Sequence, residues 1–191
     1  NDEQRAEVLA AAERIKSALR DVDLAPTRAR YRDFLEVVID DRDMRPGAKF
    51  YEWERKGVPM RIELGPKDLE KGQVCFKLRL DTPNSTGKQF VDEREFLGTV
   101  RERLLDFQSF LLERARGRLQ ASMVEIDTWE EFEAAFAGDK STFAWCHWDG
   151  TKETEAAIKE KTKVTIRCIP LEGQGPAPSE GKCIFSGQAS H

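Results

Sequence analysis

A chain of 191 residues is long enough for one large domain or two small ones. At this size roughly 70% of the unfolded surface is buried, so neither a disulfide nor a metal is needed for a stable core. With 39% hydrophobic and 35% charged residues the chain has no run of about 18 apolar residues, so no membrane span is expected, and its net charge of -4 argues against a strongly basic coat for nucleic acid.

Taken in chain order, the first signal is a helix over about 2–19, where Val8, Leu9, Ala12, Ile15 and Leu19 recur at three- and four-residue spacing. This start is acidic and lacks the apolar core of a secretion signal, which predicts no export. Pro26 and the basic stretch TRARYRDF follow as a loop, then LEVVI (35–39) reads as a short buried strand from its β-branched run. Pro46 suits the first turn of a second helix, because its missing N–H costs nothing there, and Gly57 ends that helix. Pro59 opens the strand MRIEL, in which Met60, Ile62 and Leu64 alternate with Arg61 and Glu63. GPKDLEKG is expected to turn into a strand QVCFKLRL, TPNSTG to form a hairpin-like loop, and Lys88 to Val91 to return as a strand.

A long helix spans about 92–119, with Phe96, Val100, Leu104, Phe107, Leu111 and Ala115 on one stripe. SMVEI then reads as a strand. Thr128 caps the helix WEEFEAAFAG with Glu131 three residues on, in a capping-box pattern. STFAWC predicts a strand, TKETEAAIKEKT a helix, VTIRCIP a strand and, after a loop rich in Gly and Pro, KCIF a last strand. The alternation of helix and strand makes residues 1–120 an α/β unit, and 121–191 a smaller α+β unit.

Charge is not evenly spread. From Arg42 to Arg79 there are ten basic residues against six acidic ones, a modest basic patch on an acidic protein. Such a patch suits contact with a few nucleotides, or is a solvated face of mixed charge. Cys75, Cys146, Cys168 and Cys183 are widely spaced and form no disulfide framework, as expected of a reducing cytoplasm.

The segment GAKFYEWERKGVPMRIELGPKDLEKGQV resembles the anticodon-binding domain of prolyl-tRNA synthetases of the archaeal and eukaryotic type. TKVTIRCIPLE followed by EGKCIFSGQAS resembles the C-terminal domain that follows in that type. The resemblance implies an α/β anticodon-binding domain, a mixed sheet flanked by helices, followed by a small α+β C-terminal domain. It implies recognition of proline tRNA through the two guanines of its anticodon. Reading guanine takes donors for O6 and N7, an acceptor for N1–H and N2–H₂, and a flat surface for splayed bases. By position, Phe50 matches the stacking aromatic, Glu54 the carboxylate acceptor, and Arg61, Lys67 and Lys88 the donors, while Arg42 and Arg45 lie where the RNA backbone could pass. Structural alternatives stand beside these roles. Phe50 suits a helix core, Glu54 and Arg61 suit an ion pair between helix and strand, the two lysines suit ordinary loops, and Trp53 reads as core.

The chain departs from the family pattern in three ways. The tail often carries zinc on C-x4-C and C-x2-C pairs, a structural tetrahedral set. Here Cys146 and Cys183 keep the first position of each pair, but Thr151 and Ser186 stand at the second, which predicts no zinc. The stretch Thr27–Phe34 lengthens the first connection. No class II catalytic motif is present, so no catalytic residue is assigned; ATP and magnesium are implied for a catalytic domain outside this sequence. The expectation is therefore a fragment of a longer, homodimeric cytoplasmic ligase, with proline tRNA and its own catalytic domain as partners and neither DNA nor membrane. The rival is a stand-alone synthetase-derived module that binds RNA or protein.

Overall fold

The computed structural model describes residues 2–25, 33–139, 142–171, 173, 175 and 180–190. Most of the Thr27–Phe34 stretch lies outside them, as does His191. The chain divides into two compact units, Asn1–Glu113 and Arg114–His191. Six helices and five strands are assigned among the described residues. The expected α/β architecture is present, with an antiparallel sheet in the first unit and a parallel pair in the second.

In the first unit, α1 (Asp2–Leu19) buries Ala11, Ile15 and Leu19 on one stripe. α2 (Pro46–Arg55) begins on Pro46 and buries no residue fully, so it lies over the fold and not within it. Gly57 ends the turn after it at φ +86°, a left-handed conformation that a side chain would strain. β1 (Met60–Glu63) leads through the short α3 (Pro66–Glu70) to β2 (Gln73–Leu78), and β3 (Gln89–Asp92) completes the sheet in the order β1-β2-β3. The register pairs Ile62 with Phe76 and Val74 with Val91, which sets the apolar side chains on one face. α4 (Glu93–Ala121) lays Phe96, Val100 and Leu104 against that face, together with Ile15 and Leu19 of α1.

The second unit pairs β4 (Met123–Glu125) with β5 (Phe143–Trp145), and adds α5 (Trp129–Phe136) and α6 (Lys152–Thr162). Ile126, Phe132 and Ile158 form its core, with Trp129, Trp148 and Phe185 half-buried around them. The Thr128 hydroxyl accepts from the Glu131 N–H, as the capping pattern predicts.

Five expectations are corrected. GPKDLEKG contains the helical turn α3, because Asp68 reaches back to accept from the Gly65 N–H and caps it. LEVVI, expected as a buried strand, is half-buried, with Leu35 and Val37 on the core and Val38 56% exposed, and it forms no ladder with a described strand. VTIRCIP behaves alike: Val164 and Ile166 pack inward while its backbone finds no strand partner among the described residues. KCIF is one side of a tight hairpin with a single bridge, Lys182 to Ala189, closed by Gly187 at φ +69°. The stripe on α4 is also shorter than predicted, since Ala115 is exposed. A helix of 29 residues is roughly 43 Å long against about 20 Å for a six-residue strand, so its far end outruns the sheet.

Candidate nucleic-acid interface

The strand alternation that sends Met60 and Ile62 to the core sends Arg61 and Glu63 to the opposite face of the sheet. α2 crosses near that face with Phe50 and Glu54, four residues apart and so on one side of the helix. The Arg61 guanidinium lies over the Phe50 ring, its Cζ 4.2 Å from the ring centroid. Its Nη1 donates to Glu54 Oε1 and its Nε to Glu63 Oε1 at 2.9 Å. Lys88 Nζ donates to the other oxygen of Glu63 at 2.5 Å and stands 5.9 Å from the Phe50 centroid. Glu63 thus fixes both cations around one aromatic ring.

Phe50, Glu54, Arg61 and Lys88 are therefore brought together. Phe50 is half-buried and outside the core cluster, with the cations stacked on it. The alternative ion pair between Glu54 and Arg61 is present. It also presents a donor fork and a carboxylate acceptor side by side, the set a guanine edge requires. Lys67 stands apart on α3, exposed and without an ion-pair partner among the described residues.

Glu63 was not singled out by sequence, although the MRIE alternation places it beside Arg61. Burial pushes its carboxyl up, but hydrogen bonds from Lys88 and Arg61 outweigh that and hold it below the ordinary range. Lys88 is raised in turn, chiefly by its hydrogen bond to Glu63. A carboxyl depressed in the fold stabilises it fully above its unfolded pKa of about 4.3, and that stabilisation fades as pH falls through the folded value. Glu63→Gln is expected to remove this part of the acid limb. Urea melts between about pH 6 and about pH 3 check it, and an unchanged acid limb would mean that Glu63 is not held in this way.

A second network fixes the chain leading into α2. Asp40 accepts from Arg42 Nε at 2.8 Å and Nη2 at 2.6 Å, and from Trp53 Nε1 at 2.8 Å. Arg42 also pairs with Glu52 at 3.0 Å, and Glu52 with Lys56 at 2.6 Å. The Arg42 and Trp53 hydrogen bonds hold the Asp40 carboxyl far below the usual carboxylate range. Arg42 is thus occupied by two carboxylates. Arg45 is exposed at the N-cap of α2, with no ion pair among the described residues. Trp53 is half-buried and tied to Asp40, with Lys56 4.4 Å over its ring, and does not belong to the core cluster.

In the second unit the residues at the zinc-pair positions do not fit that metal. Ser186 Oγ donates to Asp149 Oδ2 at 2.5 Å, Thr154 Oγ1 to the same oxygen at 2.8 Å, and Thr151 Oγ1 to Oδ1 at 2.9 Å. Two thiols therefore stand with two hydroxyls already committed to a carboxylate, and hydroxyls of this kind are not the thiolate or imidazole donors of a structural zinc. Among the described residues no group of three His, Cys, Asp or Glu comes together to hold a metal. No described helix is long and apolar enough to cross a membrane.

The family described as anticodon binding domain matches residues 1–103, and the family described as prolyl-tRNA synthetase, C-terminal, matches residues 129–191. A curated relative from Roseiflexus castenholzii, named proline–tRNA ligase, is 38% identical over 98% of this chain and 35% of its own length. Relatives of the same name from Flavobacterium johnsoniae and Akkermansia muciniphila are 37% identical over 99% and 40% identical over 81% of the chain. The chain spans about a third of the length of these relatives. With 103 of its 191 residues matched by the first family and its tail by the second, the chain belongs to the anticodon-binding domain family and carries the C-terminal domain of prolyl-tRNA synthetases.

Proposed function

We propose that this chain is the tRNA-recognition part of a proline–tRNA ligase and reads the paired guanines of a proline anticodon. One observation carries this reading: the Arg61–Glu54 pair, laid over Phe50, offers a donor fork, an acceptor and a flat surface at one place. The comparisons support it with relatives named proline–tRNA ligase. In this reading Arg61 donates to guanine O6 and N7, Glu54 accepts from N1–H and N2–H₂, and a base stacks against the Phe50–Arg61 layer. Lys67 and Lys88 add donors at the rim, and Arg42 and Arg45 are placed for the RNA backbone, Arg45 exposed and with no ion pair among the described residues.

Attachment of proline to the tRNA, with ATP and magnesium, belongs to a catalytic domain outside this sequence. The whole ligase is proposed to be a cytoplasmic homodimer, and the second unit to hold no zinc. Titrating proline tRNA and anticodon-guanine variants against the chain tests the reading. Each changed guanine is expected to cost about 1–3 kcal/mol of binding. Equal affinity for every variant would sink it in favour of a stand-alone binding module.

A further inference from the structure

The outer face of the first sheet does not end at Arg61 and Glu63. The register sets Glu63, Cys75 and Phe90 in one row across the three strands. Neighbouring strands lie about 4.8 Å apart, so Phe90 stands roughly 10 Å from Glu63 along this row. Burial along the row is uneven. Cys75 is 3% exposed, whereas Phe90, next to it on the edge strand, is 57% exposed. Lys88, two residues before Phe90, shares its side of the chain and sends its ammonium back to Glu63. The charged layer around Phe50 thus stops short of Phe90 and leaves an open ring at its border, with a cation between the two aromatics.

An exposed phenylalanine on a sheet, flanked by lysine and next to a donor–acceptor pair, has the makings of a base-stacking surface. Stacking accepts any base, because every base has a flat face, and it needs no acceptor on the protein. We propose that Phe90 is a second stacking platform, which takes an unpaired nucleotide beside those read by the Phe50, Glu54 and Arg61 group. This inference rests on the reading of that face as RNA-binding. The two differ in what they do: Glu54 and Arg61 choose the base, while Phe90 adds affinity without choosing.

The test is binding of proline tRNA and its anticodon-guanine variants by the full chain carrying Phe90→Ala, Phe90→Leu, Phe90→Tyr or Arg61→Ala. Phe90→Ala is expected to weaken every tRNA by the same factor, roughly 5- to 150-fold, and to leave the ratio between cognate and changed anticodons intact. Phe90→Tyr, still flat, is expected to bind as the parent does. Phe90→Leu, apolar but not flat, is expected to lose most of what alanine loses, while the melting temperature stays near the parent's because the ring is exposed. Parental binding by Phe90→Ala, or parental binding by Phe90→Leu, overturns the proposal. If Arg61→Ala still erodes discrimination in that case, the anticodon reading stands without it; if Arg61→Ala is also silent, both fall.

Discussion

Replacing Arg61 by alanine is expected to weaken binding of proline tRNA by about 3 kcal/mol, roughly 150-fold, and to erase most of the preference for guanine. The side chain is 18% exposed and does three things at once: it covers Phe50, pairs with Glu54 and shares Glu63 with Lys88. Its removal takes away the donor fork and leaves Glu54 without the cation that aims it. Arg61→Lys keeps the charge but loses the planar fork and most of the stacking, so it is expected to restore little of the preference. A base-reading arginine and a phosphate-binding one separate by salt. Loss of a phosphate contact lowers the slope of log K against log salt by about 1, whereas loss of a base contact changes discrimination and hardly moves the slope. Arg61→Ala should behave in the second manner and Arg45→Ala in the first. A fall of about 1 in the slope with discrimination intact would place Arg61 on the backbone. Thermal melting guards against a trivial cause: a variant that binds weakly but melts with the parent has lost contacts and not its fold.

Much of this site was legible in the sequence through the family resemblance, which named Phe50, Glu54, Arg61 and Lys88, and the local periods are consistent with it. Phe50 and Glu54 share a helix face by four-residue spacing, and Arg61 faces away from the core because Met60 and Ile62 face toward it. The roles of Glu63 and Asp40 were not legible. Glu63 is one acidic residue beside Arg61, and Asp40 is one of three aspartates around Arg42, so which cation each binds depends on where β3 and α2 lie in space. Lys88 comes 25 residues after its partner Glu63, across a hairpin and two turns of chain. The same reason explains the missing strands. LEVVI and VTIRCIP have the alternation of half-buried strands and are half-buried, but a ladder also needs a neighbour, and no alternation within a segment reports one. Phe90 was hidden because an apolar residue in a strand is expected to face the core, and only the register with Cys75 sets it outward.

The second unit makes the other large prediction. Thr151→Cys combined with Ser186→Cys is expected to convert a chain proposed to hold no zinc into one that binds one zinc tightly. The four positions already converge. The hydroxyls of Thr151 and Ser186 meet on the two oxygens of the Asp149 carboxylate, and the Ser186 N–H donates to Cys183 Sγ at 3.5 Å. The Ile184 N–H donates to the His147 carbonyl at 3.1 Å, which sets Cys183 and Cys146 each one residue from a paired backbone position. In the parent chain the carboxylate, held far below its usual range first by its hydrogen bond from Ser186, ties the hairpin after Gly181 to the start of α6. It joins segments 37 residues apart, the same task a structural metal performs by drawing distant ligands to one point. Two added thiols would release Asp149 from Ser186 and Thr151 and supply four sulfur donors at about 2.3 Å from a zinc ion. Metal analysis after dialysis, and the visible absorption of thiolate-bound cobalt as a substitute, read the outcome directly. One zinc per parent chain purified without chelator would show that Thr151 and Ser186 are not the obstacle. A doubly substituted chain that folds yet binds no metal would show that the carboxylate tie holds the positions farther apart than a tetrahedral site allows.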